Sequence, residues 1–370
     1  MKKICIVIPW FDPAFRAGGP IRSVVNMIRS FHHEIEYKVF TSNKDIGGVI
    51  LNDVRWNTWL DYNLYTKVFY SNSKFAFLNF QKQIKATKPD IIFIIGLFSF
   101  QYNLLPLLFS KASKKIISIR GMLHPGALSQ KKSKKRLVIF LLKKMKIQNK
   151  VVFHATDMTE EGFIKNIFGD ECEVIIANNF PQKNVYLPIH EKQPDTIKLL
   201  TVSLISKMKN HLLILKSLTT ITDAIEYHVI GAVKDNEYWK LCLDLIKELP
   251  QNIKVVYHGE IHPSKIPMYL RDADVFIMPS LSENYGHSIY EALSSGRPVI
   301  TSNFTPWNNL KDFKAGLNIN LDIPDIRSAI CFFSAMNNEE FQQWTEGSSF
   351  YAHQFVDFDS LYHQYTQLFN

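Results

Sequence analysis

The chain has 370 residues, 46% of them hydrophobic. That is too long for one ordinary core, suits two domains, and is too rich in aromatic and branched residues for a disordered chain. Four cysteines, Cys5, Cys172, Cys242 and Cys331, form no CxxC pair, which argues against a zinc ribbon or a disulfide framework and suits a reducing compartment. The formal charge of +9 is divided: 28 Lys+Arg stand against 13 Asp+Glu up to His190, and 15 against 21 beyond it, so the first half is expected to meet something anionic.

Apolar runs alternate with amphipathic stretches from the start. The run at 4–9 follows Met1-Lys2-Lys3 but is short and broken by Pro9, with Asp12 and Arg16 beyond, so it reads as a first buried strand, not an export signal. Strands are predicted next at 37–41, 91–95, 115–119, 151–155 and 173–177, with helices at 21–31, 77–86, 129–145 and 159–167. The apolar stretch 91–109 carries Gly96, Gln101, Asn103 and Pro106, so it resolves into strand, loop and helix, not a membrane span. A second series follows 186–188: strands at 198–203, 226–230, 254–257, 275–278 and 299–301, helices at 210–220, 234–247, 264–270 and 287–295, and a final helix at 355–369. Such alternation predicts parallel sheets covered on both faces. The fold class is therefore α/β, with two doubly wound domains: 1–188, completed by a C-terminal helix at 353–370, and 189–352. Ligands of such sheets lie beyond the carboxyl ends of the strands, and two such domains are expected to make a cleft.

The stretch Pro279-Ser280-Leu281-Ser282-Glu283-Asn284-Tyr285-Gly286-His287-Ser288-Ile289-Tyr290-Glu291 takes an apolar strand through a polar loop into a helix starting near Gly286 or His287. Backbone N–H groups at a helix start, beside a residue with no side chain, suit a phosphate. A carboxylate there can accept hydrogen bonds from sugar or ribose hydroxyls. Spacing alone leaves the ordinary alternative open, a loop acid and a solvated helix acid.

This segment resembles the E-x7-E signature of family 4 glycosyltransferases, which have the GT-B fold of two Rossmann-like domains. The order from Arg271 to Asn303, RDADVFIMPSLSENYGHSIYEALSSGRPVITSN, is similar to the family's strand, acid, helix and "G-x-P-V-I" strand. The resemblance implies that Glu283 contacts the donor sugar as a catalytic group and that Glu291 holds the ribose. It implies also that Asn284, Tyr285, Gly286, His287 and Ser288 shape the sugar and phosphate pocket. Gly18-Gly19-Pro20 looks like the family's first glycine loop, close to a donor phosphate or sugar. Ser118-Ile119-Arg120-Gly121-Met122-Leu123 is similar to an element of polysaccharide-building members, and Ala177-Asn178-Asn179-Phe180-Pro181 to the turn before the linker.

The sequence departs from the family at one place. Members carry an Arg and a Lys after the first strand of the second domain, both stabilising the diphosphate. Lys209 fits the lysine, but Leu204 stands at the arginine position. Lys207 is the nearest replacement, with Arg16, Arg22 and Arg120 as alternatives from the first domain. Arg16 and Arg120 are also candidates for acceptor or cleft contacts. His124 is a catalytic candidate because it follows the strand ending near Arg120; His154 and His262 are weaker ones. Asp272-Ala273-Asp274 matches a D-x-D metal pattern but reads as structural, and neither a metal nor another cofactor is expected.

The segment 129–150, SQKKSKKRLVIFLLKKMKIQNK, brackets apolar residues with Lys and Arg and is expected to lie on an anionic membrane surface. The ordinary alternative is a helix covering the first-domain sheet. The resemblance then implies a retaining, metal-independent glycosyltransferase of hexosyltransferase type. It would move sugar from a nucleoside-diphosphate sugar to a glycan or lipid-linked acceptor in surface polysaccharide or lipopolysaccharide synthesis. Its expected place is cytoplasmic, peripheral at the inner face of the cell membrane. A nucleotide-sugar epimerase of the same fold is one rival reading. A basic nucleic-acid-binding protein is another, although no aromatic stacking platform interleaves the basic run, and no nucleic-acid partner is expected. A two-lobed solute-binding protein should carry an export signal, and none is read here.

Overall fold

The computed structural model describes residues 1–31, 35–72, 75–129, 132–182 and 191–370. They form two compact units, Met1–Pro181 with Phe358–Asn370, and Gln182–Asp357. The sequence reading puts these boundaries at 188/189, which lies outside the described residues together with the turn at 186–188, and at 352/353.

The first unit holds β1 (Lys2–Val7), β2 (Ile35–Ser42), β3 (Trp59–Asn63), β4 (Thr66–Ser71), β5 (Ile91–Ile95), β6 (Lys114–Ser118), β7 (Val152–Ala155) and β8 (Val174–Ile176). Their order is β3-β4-β2-β1-β5-β6-β7-β8, parallel throughout except for β3 against β4. Helices cover both faces, so Ile4–Val7 and all of β5 are buried and the strands read as continuous apolar runs. The sequence reading missed β3 and β4. Trp59-Leu60-Asp61-Tyr62-Asn63 forms a short edge strand with no fully buried residue, and its apolar signal is correspondingly weak. The helix Phe358–Phe369 is held to this unit by Tyr362 Oη donating to Ser30 O (2.8 Å) and Lys114 Nζ to Leu368 O (3.0 Å).

The second unit holds β9 (Thr196–Val202), β10 (Ala224–Ile230), β11 (Ile253–Tyr257), β12 (Val275–Met278), β13 (Val299–Ser302) and β14 (Gly316–Ile319). The order is β11-β10-β9-β12-β13-β14, all parallel. The strand order reverses between β9 and β12, and between β1 and β5 in the first unit; these are the switch points where open α/β sheets bind ligands. Of the helix expected at 129–145, the described residues show Pro125–Ser129 and Lys132–Lys144, and 130–131 lie outside them. One predicted element is corrected. The helix expected at 355–369 starts at Phe358, after a separate long helix Asn338–Phe355, closed at its N-terminus by a capping box of Asn337 and Glu340 that was not read from the sequence.

Candidate active site

The switch point of the second unit gathers the central candidates. β12 is fully buried and leads through Pro279 and Ser280 into the loop that carries Glu283. β9 leads into a 3-10 turn, Lys207–Lys209. Leu281 N donates to Met208 O (2.9 Å), tying the two loops together at the backbone. Above that bond, Lys209 Nζ and Glu283 Oε1 form a short salt bridge. Their side chains are only 20% and 11% exposed, so Glu283 is not a solvated loop acid. Lys207 lies exposed in the same turn, and Leu204 is half-buried.

The turn has a neutral support. His211 is buried, with Nε2 hydrogen-bonded to Ser203 Oγ (3.2 Å) and Nδ1 to Tyr227 Oη (3.3 Å). Burial lowers its pKa to about 4 despite a backbone bond at Leu204 that favours the charged form. Asn210 follows Lys209 at the end of this turn. It takes the left-handed conformation (φ 63°, ψ 32°), which asparagine tolerates better than most residues.

The helix His287–Ser294 begins after Gly286, whose φ of 77° and ψ of 59° are left-handed. A Cβ at Gly286 would approach Ile289 Cδ1 to 3.1 Å and Trp307 Nε1 to 3.2 Å, so both backbone and space require glycine. The first N–H groups engaged inside the helix are those of Ile289 and Tyr290, both donating to Gly286 O. The helix start thus directs its positive end toward the loop carrying Glu283. Asn284 and Tyr285 precede it in that loop. Tyr285 is held by Trp307, whose Nε1 donates to Tyr285 O (2.5 Å) and whose ring meets the tyrosine edge-on at 5.5 Å; the His287 ring lies 4.7 Å from that of Tyr285. Burial pushes the Tyr285 hydroxyl well above its ordinary pKa. Ser288 Oγ donates weakly to Met278 Sδ (3.8 Å). Glu291 is 5% exposed, which rules out a solvated helix acid.

The first unit holds the remaining candidates. Gly18 (φ 69°) caps the helix Gly19–Ser30, with Pro20 in its first turn. Asp45, not foreseen from the sequence, fixes the loop before it. Its buried carboxylate accepts from Phe15 N (3.0 Å), Arg16 N (3.2 Å) and Ile46 N (2.6 Å). Burial lowers the Arg22 guanidinium to about 10.

Arg120 is buried, its Nη1 donating to Ser23 Oγ (3.0 Å) and to Asn179 Oδ1. These bonds tie Ser23 and Asn179 of its own unit together, and its Nε and Nη2 make no hydrogen bond among the described residues. Glu160, also unforeseen, is buried and fixes the next residues, accepting from Gly121 N and from Thr156 N (2.7 Å). His124 is exposed, accepts from Gly126 N at Nδ1 (3.1 Å) and packs edge-on against Phe163 at 5.4 Å. His154 is structural: Nδ1 meets Ser118 Oγ and Nε2 meets Ala177 O, both at 2.8 Å, and burial with the nearby Arg120 charge lowers its pKa to about 3. His262 is a surface residue capping a short 3-10 turn. Asp274 is buried and accepts from Lys198 N (2.7 Å), while Asp272 pairs with Arg271 on the surface. Among the described residues no group of three or more His, Cys, Asp or Glu is arranged to hold a metal.

Residues 182–311, which span Lys209, Glu283 and Glu291, match the family model of glycosyl transferases group 1. The match is confined to this segment, about a third of the chain. Alpha-monoglucosyldiacylglycerol synthase of Streptococcus pneumoniae is 34% identical over 116 residues, 30% of this chain; the match spans only 25% of that relative's length. Among solved structures, sucrose-phosphate synthase of Thermosynechococcus elongatus aligns with a TM-score of 0.72 at 14% identity, over 100% of this chain and 98% of that one. Anabaena HepE, solved with UDP-glucose, aligns at 0.71 and 14% identity, over 100% and 99%. TarM of S. aureus, solved with UDP among its ligands, aligns at 0.71 and 13% identity, over 100% of both chains. The fold of this chain is therefore the one these structures share, the GT-B fold.

Proposed function

We propose that the protein is a retaining glycosyltransferase that takes sugar from a nucleoside-diphosphate sugar without a metal. The observation that carries this reading is the Lys209–Glu283 salt bridge at the β9/β12 switch point, inside the family-matched segment. A donor inserted there exchanges one charge pair for two contacts: the diphosphate takes the Lys209 ammonium and the sugar hydroxyls take the Glu283 carboxylate. The start of helix His287–Ser294 adds its dipole to the phosphate side. Glu291, buried on the same helix, is the ribose acceptor. As the bond to phosphate breaks, Lys209 and the helix start stabilise the departing charge. The acceptor hydroxyl attacks from the face the diphosphate leaves and gives its proton to the leaving phosphate. Lys207, in the same turn as Lys209, is the replacement for the arginine absent at Leu204. Thermal unfolding with nucleoside diphosphates and their sugars, in the presence of EDTA, tests this. A ligand at a hundred times its Kd should stabilise the fold by about 2.7 kcal/mol. No shift with any base would end the donor-site reading, and a shift only on adding a divalent ion would end the metal-free part.

The acceptor we propose is a glycan or lipid-linked glycan at the inner membrane surface, in surface polysaccharide synthesis. On the helix Lys132–Lys144, Val138 and Ile139 pack on the first-unit core and Leu142 is buried, as a covering helix requires. Leu137 and Phe140, however, are 59% and 61% exposed, and Leu141 is exposed beside them. These three form one stripe at i, i+3 and i+4, flanked by Lys134, Arg136, Lys143 and Lys144. Residues 130 and 131 of the basic segment lie outside the described residues. No described helix is long and apolar enough to cross a membrane. Replacing Leu137 and Phe140 together by Ser should reduce flotation with phosphatidylglycerol vesicles by roughly tenfold or more, because two apolar side chains are withheld from the bilayer. Equal flotation of variant and wild type would show that the stripe does not touch lipid.

A further inference from the structure

A concavity lies within the first unit, at the carboxyl ends of β2 and β4, and none of the proposed donor residues lines it. Ser42 and Ser71 end these strands as register partners. The chain then turns at Asn43, whose N–H donates to Ser71 O (3.0 Å) and whose carbonyl accepts from Leu51 N (2.9 Å). The opposite wall is the single π-helical turn Phe100–Leu104 that follows β5. Between them is a space of about 330 Å³, lined by Ser42, Asn43, Lys44, Asn72, Phe100 and Tyr102 among others. That volume is at the lower end of small-molecule sites.

Its chemistry is specific. Asn43 is 3% exposed, yet its side-chain amide bonds to no other described residue and lines this space. An amide offers two donors and one acceptor, which matches adjacent hydroxyls of one sugar ring. Phe100 stands at the rim, 64% exposed, with an aromatic face for the apolar C–H side of such a ring, and Tyr102 lies beside it. Among the described residues of the lining, Lys44 is the only one with a formal charge and none is a carboxylate. A diphosphate would want more cationic groups than one lysine, and a lipid tail would want an apolar lining. We propose that this pocket binds an oligosaccharide, the glycan end of the acceptor, and prefers one bearing a carboxylate near Lys44. The assignment as acceptor rests on the transfer reading above; the binding of saccharide does not.

The test is a glycan array of neutral and uronic-acid-containing oligosaccharides, probed with the full chain and no donor. Acidic glycans should be retained, and retention should fall at least tenfold with Asn43→Leu and with Phe100→Ala. The latter changes an exposed ring and leaves folding intact. Both variants should keep the nucleotide-dependent thermal shift of the wild type, which separates this site from the donor site and reports that they are folded. Retention of no glycan by wild type, retention of neutral glycans alone, or equal retention by the Phe100→Ala variant overturns the proposal. Glycan retention without any nucleotide shift would leave the saccharide pocket standing and remove the transfer reading.

Discussion

Glu283→Gln should lower sugar transfer by about two to three orders of magnitude, the usual effect of removing one preorganised charged or polar contact to a transition state, with little change in thermal stability. The fold depends on this residue through its backbone, since Glu283 N donates to Phe304 O (3.3 Å), and glutamine keeps that bond and the side-chain volume. What changes is the charge. In the unliganded protein the carboxylate holds Lys209 in place; with donor bound it would hold sugar hydroxyls. Glutamine does both poorly, so kcat should fall more than KM for the donor rises. Lys209→Met should give a loss of similar size. The double variant should lose much less than the product of the two, because the residues act as one unit at the diphosphate–sugar junction. Additive losses would mean that the salt bridge is incidental and that the two groups serve separate steps. Full activity in a folded Glu283→Gln variant would remove the carboxylate from the mechanism altogether.

The strand–helix alternation was legible because both sheets are covered on both faces. Buried parallel strands such as Ile91–Ile95 and Val275–Met278 are unbroken apolar runs, and the linking helices are amphipathic. The loop that carries Glu283 was legible for a different reason. Gly286 and the two acids occupy one contiguous stretch, so no tertiary knowledge is needed to place them together. The Lys209–Glu283 contact was less accessible, since the partners are 74 residues apart and meet only because β9 and β12 are neighbours.

Asp45 and Glu160 were invisible for a related reason. Each is a single acid in a loop or helix whose partners are backbone N–H groups, which no side-chain pattern encodes. Arg120 is a different case. A basic residue in a recognisable element suggested an acceptor or cleft contact, while its burial and its bond to Ser23, 97 positions away, could not be read from the sequence. Trp307, fully buried against Tyr285, left one usable sign: a tryptophan shortly after a buried strand needs a hydrogen-bond acceptor for its indole N–H.

Gly231→Ala should be the most damaging small substitution near the donor site, destabilising the protein by about 3 kcal/mol or more. Gly231 follows β10 with φ 144°, a conformation that a side chain disfavours. Its backbone is committed on both sides: N–H donates to Gly259 O (2.8 Å) and the carbonyl accepts from Tyr257 Oη (2.9 Å). A Cβ there would stand 1.9 Å from Ser203 O and 2.7 Å from Ser203 C, both main-chain atoms that cannot rotate away. Ser203 begins the loop to Lys209, with its own N–H bonded to Ile230 O (2.9 Å). Relief of the clash therefore requires moving the chain that carries Lys209, or parting it from β10. Urea unfolding should show a lower midpoint, and the fraction still folded should have lost most of its nucleotide-dependent thermal shift. Gly162→Ala is the control: it lies inside the helix Met158–Phe168 with open space at the Cβ position, and alanine there should be neutral or stabilising. Equal midpoints for Gly231→Ala and wild type would mean that β10 and the Ser203 loop can separate at little cost, and Lys209 would then be less rigidly held than its salt bridge implies.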